Sequence, residues 1–304
     1  MGLIDCHVHL YTPTINRDPA GWAARRGEPH WANLCTRRRK DGQPVQSFPS
    51  PGALLRAMDA AGVERSVLLG WYWEQAENCA TQNRFFARCV RQHPDRLMAF
   101  ATVQPRAGRD SALGEVRRAH DEGLVGLGEL SPHSQGYAME DPAFSAVLEL
   151  AAELKLPVNL HVTDPASRPY PGRVETPLAD FARLAAKFPA VTFILAHWGG
   201  LGPLLPGAGP APANVLYDTA ASPLMYDETV WRRFLQAVPS DRVLFGSDYP
   251  LNLYPRIDAE ANMTRLVAEL HRAGLDAATL RAMVQENPRR LMAAAFSRRG
   301  VRIS

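Results

Sequence analysis

The chain has 304 residues, 46% hydrophobic and 21% charged, a balance that allows a large buried core and excludes wholesale disorder. Thirty-four lysines and arginines against 31 aspartates and glutamates leave a formal net charge of +3, too mild to imply a nucleic-acid partner. No stretch approaches the roughly 20 uninterrupted apolar residues of a membrane span.

The first apolar run, LIDCHVHL (Leu3 to Leu10), reads as a strand and carries His7 and His9 one residue apart. Side chains alternate along a strand, so both imidazoles share a face, about 7 Å apart at roughly 3.3 Å per residue, and Asp5 shares it too. Asp5 and His7 interrupt the apolar start, so no signal peptide is expected. The four cysteines lack C-x-x-C spacing, and a reducing cytoplasm suits them. Tyr11 to Ser50 is a long loop bearing Trp22, His30 and Trp31; loops of that length in compact domains are commonly lids or binding segments. Its basic run, Arg37 to Lys40, reads as a solvated charged surface in preference to a substrate site.

From Pro51 onward, strands and helices alternate. A helix over Pro51 to Gly62 opens on proline and closes on glycine, which is start and stop chemistry. Strand SVLLGW (Ser66 to Trp71) precedes a helix over Asn83 to Pro94, and LMAFATVQ (Leu97 to Gln104) precedes one over Ala112 to Gly123. VGLGEL (Val125 to Leu130) carries Glu129 and leads to a helix over Ala143 to Lys155. PVNLHVT (Pro157 to Thr163) carries His161 and leads to a helix over Pro177 to Pro189. TFILAH (Thr192 to His197) ends on His197, and the following GGLGPLLPGAGPAPANV holds too much glycine and proline for a full helix. NVLYDTA (Asn214 to Ala220), a helix over Glu228 to Pro239 and VLFGSDYP (Val243 to Pro250) with Asp248 complete the pattern, and Leu266 to Arg290 reads as two closing helices.

Strands alternating with helices indicate βαβ units and a parallel sheet. Eight such units without a linker-like break point to one slightly distorted (β/α)8 barrel over residues 1–304, with a long loop after the first strand and closing helices at the end. Active sites of such barrels lie at the C-terminal ends of the strands. His7, His9, Glu129, His161, His197 and Asp248 all fall there. Singly, each has a simpler reading: a hydrogen-bonded core histidine, a surface acid, a turn cap. Together they would be costly to bury unless a divalent cation took imidazoles and carboxylates as ligands.

With those positions in view, DCHVHL, ILAHWGG, FGSDYP and the terminal ENPRRLM resemble the amidohydrolase superfamily over nearly the whole chain. The resemblance is to its amidohydrolase-related branch, which includes amino-carboxymuconate-semialdehyde decarboxylase-like enzymes. It implies one or two divalent ions per chain, zinc first and manganese as the alternative, on His7, His9, His161 and Asp248. It also implies that His197 contacts the catalytic water or the substrate. Some branches carry a carboxylated lysine on strand four; here that strand offers Glu129, a further metal ligand by this resemblance.

Hydrolysis follows as the first expectation: hydroxide at the metal attacks an ester, lactone or amide of a small organic acid, and Asp248 accepts and returns the proton. The alternative is non-oxidative decarboxylation of an aromatic or unsaturated acid, with Asp248 or His197 delivering a proton to carbon. A non-catalytic barrel with structural zinc fits poorly, because such sites favour cysteine ligands and Cys6 alternates away from His7. For the substrate, Trp71 with Tyr72 and Trp73 offers aromatic surface, and Arg168, Arg173 or Arg256 offers a carboxylate partner. The expected partner is therefore a small carboxylic acid, lactone or ester; a homodimer is compatible with this reading.

Overall fold

The computed structural model describes residues 2–222, 226–251 and 262–298, so Arg256 lies outside the described residues. Eight parallel strands form in the order read above: β1 (Leu3–Val8), β2 (Val63–Leu68), β3 (Leu97–Ala99), β4 (Leu127–Leu130), β5 (Val158–Leu160), β6 (Phe193–Leu195), β7 (Val215–Asp218) and β8 (Val243–Leu244). The first three pair as one ladder and the other five as a second. A bridge from Ala101 to Leu127 joins β3 to β4, and Val8 bridges to Tyr249 beyond β8. The second seam is reinforced by Cys6 N donating to Phe245 O (2.8 Å), Asp248 N to His7 O (2.9 Å) and His9 N to Tyr249 O (2.8 Å). The ring is thus closed as a (β/α)8 barrel.

Residues two apart on neighbouring strands fill its interior: Ile4 and Cys6, Val67 and Leu69, Met98 and Phe100 pack into one buried cluster. The intervening side chains, such as Leu68, Leu97 and Ala99, pack instead with the helices through Phe86, Phe144 and Phe234. This is the two-sided burial that makes parallel strands read as continuous apolar runs. The runs outlast the ladders because each chain continues past its last paired residue into the mouth of the barrel, and there the polar residues sit.

Several boundaries differ from expectation. The Tyr11 to Ser50 segment is not a plain loop: it holds three short helices, Pro13–Arg17, Pro19–Arg26 and Pro29–Cys35, each opening on a proline. Thr12 Oγ1 accepts from Ile15 N at the first and Asp18 Oδ1 from Gly21 N at the second, the N-cap chemistry that sustains helices this short. The helix expected from Asn83 begins at Ala76 and runs Ala76–Gln92. After β6 the chain makes a left-handed turn and a short 3-10 turn at Gly202–Leu204 with no full helix, as its composition required. The tail folds as Met263–Arg272, then Ala277–Arg281 running through Ala282–Glu286 into Asn287–Arg298. Among the described residues no helix is long and apolar enough to cross a membrane.

Candidate metal centre

All six polar residues singled out from the sequence converge at the C-terminal mouth. His7 Nε2 and His9 Nε2 face each other at 3.1 Å. Glu129 Oε2 lies 3.9 Å from His7 Nε2 and 3.7 Å from His9 Nε2, and Asp248 Oδ1 lies 3.7 and 3.5 Å from the same two atoms. Glu129 Oε1 is 2.8 Å from His161 Nδ1 and 3.4 Å from His197 Nε2. His197 closes no strand: it sits beyond β6 at φ 55°, and Asp248 sits beyond β8 at φ 64°. Left-handed backbone at non-glycine residues is sparsely populated and, where held, commonly marks a functional site.

The hydrogen bonds decide where the lone pairs point. His7 Nδ1 donates to Asp218 Oδ2 (3.0 Å), His9 Nδ1 to Leu69 O (3.2 Å) and His197 Nδ1 to Ala220 O (3.1 Å). With these donors fixed, each neutral ring presents a bare Nε2 to the centre. Two such lone pairs at 3.1 Å, with carboxylate oxygens beside them, repel unless a proton on one of them or a metal ion lies between. A tetrahedral ion with bonds of about 2.0–2.2 Å has ligand separations of about 3.3–3.6 Å, close to those found. His7, His9 and Glu129 form one possible three-ligand group, and Glu129, His161 and His197 a second, sharing the glutamate. The donors present therefore fit a divalent cation, with Glu129 central to either arrangement.

Electrostatics agree. Burial opposes charge on His7, but the adjoining Asp218 carboxylate outweighs it and pushes the imidazole up to about 10. Burial, aided by His7, drives His9 down to about 3. Glu129 is held well below the usual carboxylate range because His161 overcomes its burial, whereas burial lifts Asp248 to about 6. A cation held by these donors would need His7 Nε2 free of its proton.

Asp218, at the end of β7, was missed, although the strand-end rule applied to NVLYDTA would have found it. It is fully buried. Its Oδ2 accepts from His7 Nδ1 and Asn159 Nδ2 (2.9 Å), and its Oδ1 from the backbone N–H groups of His197 (3.1 Å) and Ala220 (3.0 Å). Such partners set the tautomer of a ligand histidine. Asp218→Asn keeps the two backbone bonds and turns an amide N–H toward His7 Nδ1, so His7 must present N–H to the centre. Manganese affinity in equilibrium dialysis should fall by about 10- to 100-fold with unchanged circular dichroism; unaltered affinity would refute this orienting role. Asp5, expected on the ligand face, instead tethers backbone, accepting from His7 N (3.1 Å) and Ser247 N (3.0 Å).

A cavity of about 610 Å³ opens onto His9, Glu129, His161, His197 and Asp248. Trp71 lines it, with its ring edge-on to His9 at 5.4 Å and stacked on Tyr72 at 4.4 Å. Trp22 and Trp31 are buried away from the cavity in the aromatic cluster beneath the loop helices. Arg168 lines the cavity and is exposed. Arg173 does not line it: its guanidinium bonds Ser167 Oγ (2.9 Å), Glu175 (3.3 Å) and the carbonyls of Asp164 and Pro165, and so shapes the loop after β5. Arg37, expected to be solvated with its basic neighbours, lines the cavity instead, and its buried Nε has no hydrogen-bond partner among the described residues.

A protein family described as Amidohydrolase matches residues 4–292. Among solved structures, 5-carboxyvanillate decarboxylase from Sphingomonas paucimobilis superposes with a TM-score of 0.72 at 18% identity, covering 96% of this chain and 99% of that one. The Novosphingobium aromaticivorans 5-carboxyvanillate decarboxylase, complexed with manganese and 4-hydroxy-3-methoxy-5-nitrobenzoic acid, gives 0.73 at 17% identity over 96% of each chain. The 2,6-dihydroxybenzoate decarboxylase from Rhizobium gives 0.68 at 20% identity, covering 96% and 99%. These likenesses show a shared fold.

Proposed function

The chain belongs to the amidohydrolase family matched over residues 4–292, and from that premise we propose that it is a metal-dependent decarboxylase of an aromatic or unsaturated carboxylic acid. The observation that carries the reading is the stacked Trp71–Tyr72 pair, ring centroids 4.4 Å apart, lining the same cavity as the metal donors. A planar ring can lie against that wall while its carboxylate reaches the centre. Arg37 supports it as a charged partner for a substrate oxygen. Hydrolysis stood first on sequence because Glu129 exceeds the mononuclear decarboxylase pattern. The compared enzymes of this fold act on aromatic acids, which favours decarboxylation and reverses that order.

In this reading His7, His9, Glu129 and Asp248 hold the cation, with His161 and His197 completing the shell or holding a second ion at the shared glutamate. Manganese, bound in the Novosphingobium enzyme, is proposed alongside zinc. The bound ion supplies Lewis acidity at a substrate oxygen. The bond from ring carbon to carboxylate breaks, its electron pair stays on carbon, CO2 leaves, and Asp248 or His197 delivers the replacing proton. Manganese-loaded protein incubated with 5-carboxyvanillate, 2,6-dihydroxybenzoate, and a panel of aryl esters and lactones should release CO2 from at least one acid and leave the esters and lactones intact. Ester or lactone hydrolysis without CO2 would restore the hydrolase reading.

A further inference from the structure

Beside the metal donors, two polar side chains line the cavity and turn polar atoms to it that no described residue takes up. Tyr72 is buried, 2% exposed, yet its hydroxyl makes no hydrogen bond among the described residues. Its ring lies between His161, 5.1 Å away by centroids, and His30, 5.8 Å away. His161 belongs to the centre; His30 belongs to the helix Pro29–Cys35 in the long segment after β1. Tyr72 therefore spans the distance from the centre to the segment that covers it.

His30 is oriented from two sides. Its backbone N–H donates to Glu74 Oε2 (3.0 Å), and its ring Nε2 lies 2.8 Å from Gly172 O in the loop after β5. A carbonyl can only accept, so Nε2 carries the proton and in the neutral ring Nδ1 is a bare acceptor. Nδ1 has no partner among the described residues, and His30 and Tyr72 line the same cavity. The contact with Gly172 also closes one loop against the other. A β-carbon on Gly172, at φ +82°, would stand 2.8 Å from Leu34 Cγ, so the two loops meet closely and the ring is held firmly.

An unpaired donor and an unpaired acceptor at adjacent positions complement a group that both donates and accepts. A carboxylate only accepts and an ammonium only donates; a hydroxyl does both. We infer that Tyr72 and His30 form a subsite for a hydroxyl on the substrate ring, which accepts from the Tyr72 hydroxyl and donates to His30 Nδ1. This inference rests on the decarboxylase reading and adds the substituent the substrate carries. Arg37 does not duplicate the pair, since a guanidinium offers no acceptor. Sites built to hydrogen-bond a hydroxyl discriminate strongly against analogues that lack it, because buried polar groups are then left unpaired.

The test is calorimetric titration of manganese-loaded protein with benzoate, 2-hydroxybenzoate, 3-hydroxybenzoate and 4-hydroxybenzoate, which reads binding without turnover. At least one hydroxylated acid should bind about 10-fold or more tightly than benzoate. Tyr72→Phe keeps the ring and its stacking and should bring that acid to benzoate's affinity while benzoate changes less than twofold. His30→Gln, whose amide still reaches toward Gly172, should lose the same preference. Manganese content and circular dichroism of each variant exclude collapse of the centre or the fold. A wild-type protein that binds all four acids equally, or a Tyr72→Phe variant that keeps the preference, overturns the subsite and leaves the decarboxylase reading standing. A wild-type protein that binds none of them also overturns the subsite, and the CO2-release assay then decides the decarboxylase reading on its own.

Discussion

Replacing Glu129 by glutamine is expected to cost the centre at least one metal equivalent, or most of its affinity for the ion that remains, and to lower activity by about 100-fold or more. The side chain is 2% exposed and each of its oxygens faces two imidazoles: Oε1 faces His161 (2.8 Å) and His197 (3.4 Å), and Oε2 faces His9 (3.7 Å) and His7 (3.9 Å). Both three-ligand groups need it. Glutamine keeps the shape and hydrogen-bonding reach but removes the charge that draws a cation into a site made mainly of neutral rings. It also points an N–H at either a histidine lone pair or the cation. Metal analysis after dialysis, with activity measured before and after adding manganese, checks the expectation. Unaltered stoichiometry with a modest loss of activity would mean that Glu129 only orients His161 through their hydrogen bond.

Much of this centre was legible because backbone periodicity and fold geometry act on single residues. His7 and His9 share a face by strand alternation, and the barrel rule carries Glu129, His161 and Asp248 to the same mouth. What alternation could not supply is side-chain reach: backbones about 7 Å apart turn their rings until the Nε2 atoms stand 3.1 Å apart. Arg37 was illegible for a different reason. Within the basic run, Arg38 is exposed and donates to Gly42 O, as a solvated charge does, while Arg39 is largely buried and pairs with Asp41. Only packing of the preceding helices onto the aromatic cluster turns Arg37 into the cavity, and that packing joins residues distant in sequence. The helices themselves announced their starts at Pro13, Pro19 and Pro29 but are too short to show a helical period. Arg173 looked like a substrate ligand because nothing in its local sequence revealed the loop carbonyls it would satisfy.

Asp248→Asn should lower turnover far more than it disturbs metal binding. Asparagine tolerates the left-handed backbone that Asp248 adopts at φ 64°, and the bond from its N–H to His7 O is unaffected, so the β1–β8 seam should persist. Its amide oxygen can still occupy the place of Oδ1, 3.5 Å from His9 Nε2. What it cannot do is take up and release a proton at the carboxyl. Asp248 is well placed for that transfer, because one oxygen faces the histidine pair, the other lies 3.9 Å from His197 Nδ1, and the residue lines the cavity. Loss of a positioned proton donor costs about 100- to 10,000-fold. At saturating manganese, kcat for CO2 release should fall within that range, while manganese affinity falls far less than in the Glu129 variant. Restoration of most of the activity by manganese alone would show Asp248 to be a ligand without a role in proton transfer, and would leave His197 to deliver the proton to carbon.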